Sequence, residues 1–361
     1  MHMIELSHVY KRFGEKEVLD DISITIEKGE IFTFIGPSGT GKSTLLRLIN
    51  LLDTPTSGSV LIDGKDTAVS ERDKVQIRRR MSMVFQKPVA LKGNVYQNVA
   101  TGLKFRGISP EEIANRVPEG LELVGLDGYE QRKATTLSGG ELQRVAIARA
   151  IVTHPEVLLL DEPSANLDPV STEKIENLIS AIRDRFKTTI VLSTHDMVQG
   201  QRLATRIAVV LNRTIGQVGS SHDIFYKPQN RDVAHMVGVE NILEGTVIAN
   251  DGGYATIEVS GFPVVAICPY SVGQRVNAYL RPEDIMFFTP DGWKTSARNQ
   301  LAGVITKVIP MGPMVRVKLH AGVTYTAIIT RRSYDDLGLE KGGPAHISFK
   351  ASAIHVGPGG E

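Results

Sequence analysis

Apolar positions along the chain follow two periods. Up to about residue 235, short unbroken apolar runs alternate with stretches of helical period. IFTFI (31–35), VLLL (157–160), IVLS (190–193) and RIAVVL (206–211) are rich in Val, Ile and Leu and show no polar alternation. Strands buried on both faces of a parallel sheet read this way. Ile175, Leu178, Ile179, Ile182 and Phe186 recur at helical spacing and predict an amphipathic helix. The spacing predicts an α/β domain over 1–235, with helices covering a mostly parallel sheet.

Beyond residue 235 the period shortens. YATIEV (254–259), RVNAYL (275–280), VITKVI (304–309), MVRVKL (314–319) and TYTAII (324–329) are short alternating runs set off by Gly, Pro and Asp. They predict an all-β region built as small OB-like barrels. A polar stretch, TPDGWKTS (289–296), divides it near residue 290 into modules over 236–290 and 291–361, and KPQNRD (227–232) reads as a linker.

Composition narrows the class. The 361 residues are 42% hydrophobic and 22% charged, ordinary for a soluble globular protein of two or three domains. The net charge of +1 offers no broad basic field for holding nucleic acid. The single cysteine, Cys268, rules out an intramolecular disulfide and suits a reducing compartment. No run approaches the length of a membrane span, and MHMIELSHVYKRFG lacks the apolar core of a signal peptide. A role at a membrane would therefore require docking onto other chains that span it.

The chemistry begins at GPSGTGKST (36–44), between the strand 31–35 and the helical pattern TLLRLIN. This is the P-loop form G-x-x-x-x-G-K-[ST] in its strand–loop–helix setting. Gly36, Pro37, Ser38, Gly39, Thr40, Gly41, Lys42, Ser43 and Thr44 are the expected nucleotide-binding residues. Glycines let backbone N–H groups converge on phosphate oxygens, and the helix N-terminus adds partial positive charge. Lys42 reaches the β- and γ-phosphates of ATP, and the Ser43 hydroxyl suits Mg²⁺. In VLLLDEP (157–163) an apolar strand ends in two acids at the carboxyl edge of the sheet, where ligands of α/β folds bind. Asp161 is expected to hold Mg²⁺ and Glu162 to polarise the attacking water.

Further motifs carry a resemblance to the ABC ATPases. LSGGELQ (137–143) resembles the ABC signature, although Ser138 is also a good helix cap. The resemblance covers residues 3 to about 235 and implies a RecA-like core with a helical subdomain over about 87–150 that docks onto a membrane partner. It implies a head-to-tail homodimer in which Ser138, Gly139 and Gly140 cover the nucleotide held by the other copy. Gln86, in MVFQKP, matches the Q-loop, which senses Mg²⁺ and the γ-phosphate. His195, in LSTHD, matches the switch histidine, and Asp168, in SANLD, the D-loop. Tyr10 is taken as the aromatic that stacks on adenine. Pro118 is expected to kink or break the helical pattern around it.

The tail carries a second resemblance. SARNQL (296–301), IITRRSYDDLGLEKG (328–342) and SFKASAIH (348–355) together resemble a molybdate-binding Mop (TOBE) module. Carried over, Ser296, Ala297, Arg298, Lys350 and Ser352 would face a regulatory oxyanion, with Thr330 and Ser333 as weaker candidates. A tetrahedral dianion needs only donors, which hydroxyls, backbone N–H groups and cations supply. The reading is an ATPase subunit of a tungstate or molybdate importer at the cytoplasmic face of the membrane, serving permease subunits and an extracytoplasmic binding protein. Alternatives are an importer for sugar, polyamine, sulfate or phosphate, and a soluble ABC protein with a nucleic-acid-binding OB tail. The tail lacks the dense aromatic and basic patterning of the last.

Overall fold

The structure, a computed structural model, describes residues 2–289 and 295–359. The chain divides into two compact units, Met1–Ser221 and His222–Glu361.

The first unit contains two sheets. One is ordered β10 (Thr214–Ser220), β9 (Arg206–Leu211), β3 (Ile31–Ile35), β8 (Thr189–Thr194), β7 (Val157–Asp161) and β6 (Met81–Val84). Its strands pair in parallel except for the β9–β10 hairpin. β3 and β7 are buried at every position, which is why their sequences are continuously apolar. A second, antiparallel sheet is ordered β2 (Lys16–Glu27), β1 (His2–Phe13), β4 (Ser57–Ile62) and β5 (Lys65–Asp66). Apolar spacing alone did not announce this sheet, because bulges between Leu6 and Arg12 break the alternation of β1. Helix α1 (Lys42–Ile49) buries Leu45, Leu46, Leu48 and Ile49 in the core it shares with both sheets. α2 (Glu71–Arg79) precedes β6.

Helices α3 (Val95–Phe105), α4 (Pro110–Leu123) and α5 (Gly139–Ile151) pack on one another over the region expected to be helical. Their starts are fixed locally. Asn94 and Gln97 form a capping box on α3, Ser109 caps α4 with Pro110 behind it, and Ser138 and Glu141 box α5. The break expected at Pro118 does not occur, for α4 runs unbroken through it. Ile113, Val117 and Leu121 are buried on one face of that helix; burial of side chains of this size, about 1.5–3 kcal/mol each, offsets the missing bond. α6 (Pro169–Phe186) buries Ile175, Leu178, Ile179 and Ile182, the residues whose period predicted it, and α7 (Met197–Leu203) follows β8.

The second unit begins with α8 (Ser221–Tyr226) and α9 (Arg231–Met236), residues that the sequence grouped largely with the first domain. Two five-stranded antiparallel sheets follow. The first is ordered β13 (Phe262–Ile267), β12 (Tyr254–Val259), β11 (Asn241–Asp251), β14 (Arg275–Leu280) and β20 (Ile354–Pro358). The second is ordered β15 (Met286–Phe288), β19 (Pro344–Phe349), β16 (Asn299–Met311), β17 (Met314–Ala321) and β18 (Val323–Thr330), with α10 (Arg331–Asp336) after β18. The sheets interleave rather than follow one another. β15 pairs forward with β19, and β20 returns to pair with β14. Their apolar faces form one core. A division of the chain near 290 therefore does not separate two modules; the polar stretch over 289–296 lies partly outside the described residues.

Candidate functional site

Three neighbouring strands, β7, β8 and β3, end side by side. Their carboxyl ends deliver Asp161 and Glu162, then His195, then the loop from Gly36 to Gly41 that starts α1. Gly36 is required by packing: an added Cβ would lie 2.3 Å from the carbonyl oxygen of Val210. Gly41 has φ 104°, and a Cβ there would meet Leu19 Cδ2 at 2.6 Å.

Lys42 is 4% exposed. Its Nζ donates to Gly36 O at 2.7 Å and Pro37 O at 2.9 Å, and lies 4.0 Å from Glu162 Oε1. Burial pulls its pKa below the ordinary lysine range, opposed by Glu162 and Asp161. The Ser43 hydroxyl donates to Asp161 Oδ1 at 2.9 Å. Glu162 Oε2 accepts from Gln86 Nε2 at 3.0 Å and lies 3.0 Å from His195 Nδ1. Lys42, Ser43, Gln86, Asp161, Glu162 and His195, distant in sequence, thus form one cluster.

The sequence reading missed a residue beneath this cluster. Ser193, fully buried, donates to Asp161 Oδ1 at 2.5 Å. The Glu162 N–H reaches both Ser193 O, at 3.0 Å, and Ser193 Oγ, at 3.2 Å. One serine thus fixes both acids, and Glu162 sits at φ 46°, a left-handed conformation that such an anchor must hold. The signal was the polar residue ending an otherwise apolar strand.

The signature residues lie elsewhere. Ser138 caps α5, its backbone N–H donating to Glu141 Oε2 at 2.8 Å. A Cβ on Gly140 would meet Ser171 Oγ at 2.9 Å, and one on Gly139 would meet Leu167 Cδ2 at 3.9 Å. Asp168 caps α6, accepting from the Ser171 N–H at 3.0 Å and hydroxyl at 2.6 Å. These bonds hold its carboxyl below the ordinary range. Signature and D-loop residues are therefore neighbours, and among the described residues no hydrogen bond joins Ser138 to the P-loop of its own chain.

A family profile for ABC transporters matches residues 19–165, and one for the TOBE domain matches residues 295–356. The chain is 38% identical over 358 residues to the molybdate/tungstate import ATP-binding protein WtpC of Pyrococcus horikoshii, covering 99% of this chain and 100% of that protein. It belongs to the ABC transporter import ATP-binding proteins. It is also 40% identical over 324 residues to the spermidine/putrescine import ATP-binding protein PotA of Oleidesulfovibrio alaskensis, covering 88% of this chain and 84% of that protein. Among solved structures, cbiO1 of Clostridium perfringens, part of the ABC transporter complex cbiONQ, superposes with a TM-score of 0.60 at 28% identity. That match covers 66% of this chain and 95% of cbiO1. A dimeric ATP-binding cassette in a post-hydrolysis state with ADP and Pi gives 0.56 at 33% identity, covering 61% of this chain and 99% of that one. As an ABC ATPase the protein binds and hydrolyses ATP.

Two aromatics of β1 bear on base stacking in this ABC ATPase, Tyr10 and Phe13. Partial burial and the carboxylates of Asp21, Asp20 and Glu17 push the Tyr10 phenol above the ordinary range. Phe13, three residues along β1 and so on the other face, is 46% exposed with Lys11 Nζ 4.7 Å from its ring centre. Lys11 pairs with Leu19, the residue that packs over Gly41. Phe13 thus shares the face of β1 that meets the P-loop. Phe13 therefore stands beside Tyr10 as a candidate for stacking on the base.

In the tail, Asn299 pairs with Phe349, so the segments of Ser296 to Arg298 and Lys350 to Ser352 leave adjacent strand ends. Ser296, Arg298, Lys350 and Ser352 are exposed, whereas Ala297 is buried and could offer only its backbone. Thr330 and Ser333 are not brought to them. Thr330 lies opposite Met314, at the far end of the β16–β17 hairpin, where it caps α10.

The donors at the P-loop fit Mg²⁺. A hydroxyl (Ser43), a carboxylate (Asp161) and an amide oxygen (Gln86) are hard oxygen ligands, too few to enclose the ion without phosphate oxygens and water.

Proposed function

We propose that this ABC ATPase energises uptake of tungstate or molybdate and that its tail senses the same anion. Support comes from WtpC, which matches through the tail as well as the ATPase region. It comes also from the juxtaposition of the two tail segments by the Asn299–Phe349 pair. The protein would work as a homodimer at the cytoplasmic face of the membrane. Permease subunits would bind it there, fed by an extracytoplasmic binding protein.

The site suggests how hydrolysis proceeds. Glu162 is engaged by Gln86, His195 and, at longer range, Lys42. ATP would draw these three toward its phosphates, since each carries a donor suited to an oxyanion. Glu162, released from them but held from below by Ser193, would accept the proton of the attacking water. Mg²⁺, held by Ser43, Asp161 and Gln86, would neutralise phosphate charge. Ser138, Gly139 and Gly140 of the second copy would close the site with backbone N–H groups of a helix N-terminus.

The PotA relatives favour a second cargo, a polyamine. Calorimetry of the full-length protein with tungstate, molybdate, sulfate and phosphate separates the two. Micromolar affinity for tungstate or molybdate, about −8 kcal/mol, supports the oxyanion reading. Absence of heat with every anion overturns it and leaves the importer ATPase. The full chain is needed, because residues 291–361 alone would lack β15 and leave β20 without its partner β14.

A further inference from the structure

The start of α5 carries a carboxylate at the very place where a phosphate would need donors. Glu141 is the third residue of that helix and reaches back over its first turn. Its Oε2 accepts from the Ser138 N–H at 2.8 Å and from the Ser138 hydroxyl at 2.8 Å. The Glu141 N–H donates to Ser138 Oγ at 3.3 Å. Its Oε1 accepts from the Tyr129 hydroxyl at 3.0 Å, and the Arg132 guanidinium lies 3.6 Å from the centre of the Tyr129 ring.

A capping box needs only two of these bonds, one from each backbone N–H. Here the carboxylate also takes the hydroxyl proton, and a serine hydroxyl has one proton to give. While it points at Glu141 it cannot point at a phosphate. The bonds from Ser138 hold the Glu141 carboxyl below the ordinary range, so it is charged at neutral pH. Among the described residues no ion pair involves it. Arg144, one turn on, donates instead to Val124 O and Gly125 O at 3.0 Å each. Ser138 and Gly139 are exposed, and N–H groups in the first turn of a helix have no intrahelical acceptor. A phosphate arriving there meets free donors together with a like charge.

We propose that Glu141 is a positioning residue for hydrolysis, an anion that holds the Ser138 hydroxyl until the terminal phosphate of ATP on the second copy replaces it, so that closure of the site discriminates ATP from ADP. The inference rests on the reading that Ser138, Gly139 and Gly140 complete the other copy's site, and it names what that completion must displace. The phosphate gains the Ser138 hydroxyl, while Glu141 keeps the Ser138 N–H and the Tyr129 hydroxyl. A diphosphate has no terminal group to make the exchange.

Steady-state hydrolysis by the full-length protein gives the ATP concentration at half-maximal rate, and competition gives the inhibition constant of ADP. Glu141→Gln keeps the capping box, since a glutamine oxygen also accepts from the N-cap N–H, and removes the charge. It should lower the half-saturating ATP concentration about fivefold, the difference between a hydrogen bond to a charged group and one to a neutral group. The ADP constant should stay within about twofold, and turnover at saturating ATP should move less than half-saturation does. Tyr129→Phe keeps the ring and frees Glu141 Oε1, so it should act in the same direction by less and add little to Glu141→Gln. An unchanged ATP dependence in Glu141→Gln overturns the proposal and leaves Glu141 a helix cap. Equal shifts for ATP and ADP also overturn it, because the substitution then acts on nucleotide binding at large. Ser138→Arg separates the proposal from the reading beneath it. If Ser138→Arg abolishes hydrolysis while Glu141→Gln changes nothing, the two-copy site stands and the role of Glu141 falls. If Ser138→Arg hydrolyses ATP as the unaltered protein does, the signature completes no site and both fall.

Discussion

The nucleotide cluster and the tail segments are built in opposite ways. At the end of β7, Asp161 is almost fully buried, and each acid is engaged by hydroxyl, amide, imidazole or ammonium groups of the same chain. The carboxylates and the P-loop are therefore oriented before ATP arrives. At the start of β16, Arg298 and Lys350 are exposed, and no ion pair involves either among the described residues. The first arrangement is preorganised and tolerates little change. The second resembles half of a site, with cations on adjacent strand ends and no ion-pair partner for them among the described residues. A catalytic centre needs fixed geometry before binding; a sensor can leave its geometry to be completed by the ligand and a second copy.

The sharpest test of the preorganised side is Glu162→Gln. It should retain ATP binding and lower hydrolysis by at least about 10²-fold, as loss of a general base does. Phosphate release and binding of a fluorescent ATP analogue measure the two effects. Near-normal turnover would show that Gln86, His195 and Lys42 converge on a carboxylate that is not the base.

On the tail side, Arg298→Ala and Lys350→Ala should each weaken tungstate binding by about 1.5–3 kcal/mol, the value of a hydrogen bond to a charged group. Neither should change basal hydrolysis. Calorimetry on full-length variants reads the first and phosphate release the second. Loss of ATPase activity in these variants would erase the distinction between a built site and a half-site.

How much of this was legible follows from how each feature is encoded. The P-loop, the Asp161–Glu162 pair, Gln86, the signature and His195 each sit in a contiguous stretch whose spacing fixes local backbone, so sequence could name them as candidates, and the fold gathers all but the signature into one cluster. The strands between the motifs were legible because they are apolar throughout. Interleaving of the tail sheets was not, because β15 is three residues long and β20 five, and neither states its partner. Ser193 was passed over because its role depends on a neighbouring strand: it lies opposite Asp161 only through the parallel register of β7 and β8. The faces that Tyr10 and Phe13 present were hidden for the same reason. Which face of β1 meets the P-loop is set by bulges and by Leu19 over Gly41.

That choice gives the next test. Phe13→Ala should weaken nucleotide binding by about 1–3 kcal/mol, the worth of stacking a base on an aromatic ring. Tyr10→Ala should leave affinity within about 0.5 kcal/mol, the spread of surface changes away from a site. Titration with a fluorescent ATP analogue decides it, and the reverse ranking would return Tyr10 to the base.

The smallest expected effect is the most diagnostic of preorganisation. Ser193→Ala removes the hydroxyl that donates to Asp161 Oδ1 but leaves the bond from Glu162 N–H to Ser193 O. Backbone support of Glu162 therefore survives, while Asp161 keeps only Ser43. A net contribution of about 1 kcal/mol for one neutral hydrogen bond corresponds to about a fivefold change. That change should fall on Mg²⁺: half-saturation by the ion should rise about fivefold, with nucleotide affinity in its absence unchanged. Turnover at saturating Mg²⁺ should recover most of its value, because Glu162 loses only its longer bond to Ser193 Oγ and keeps the one to Ser193 O. Equilibrium nucleotide binding with and without Mg²⁺, beside a Mg²⁺ titration of hydrolysis, distinguishes the outcomes. A fall in turnover that excess Mg²⁺ does not restore would mean that Ser193 acts through Glu162 instead. An unchanged Mg²⁺ dependence would mean that Asp161 needs no support from β8, and the nucleotide cluster would then be less preorganised than its hydrogen bonds suggest.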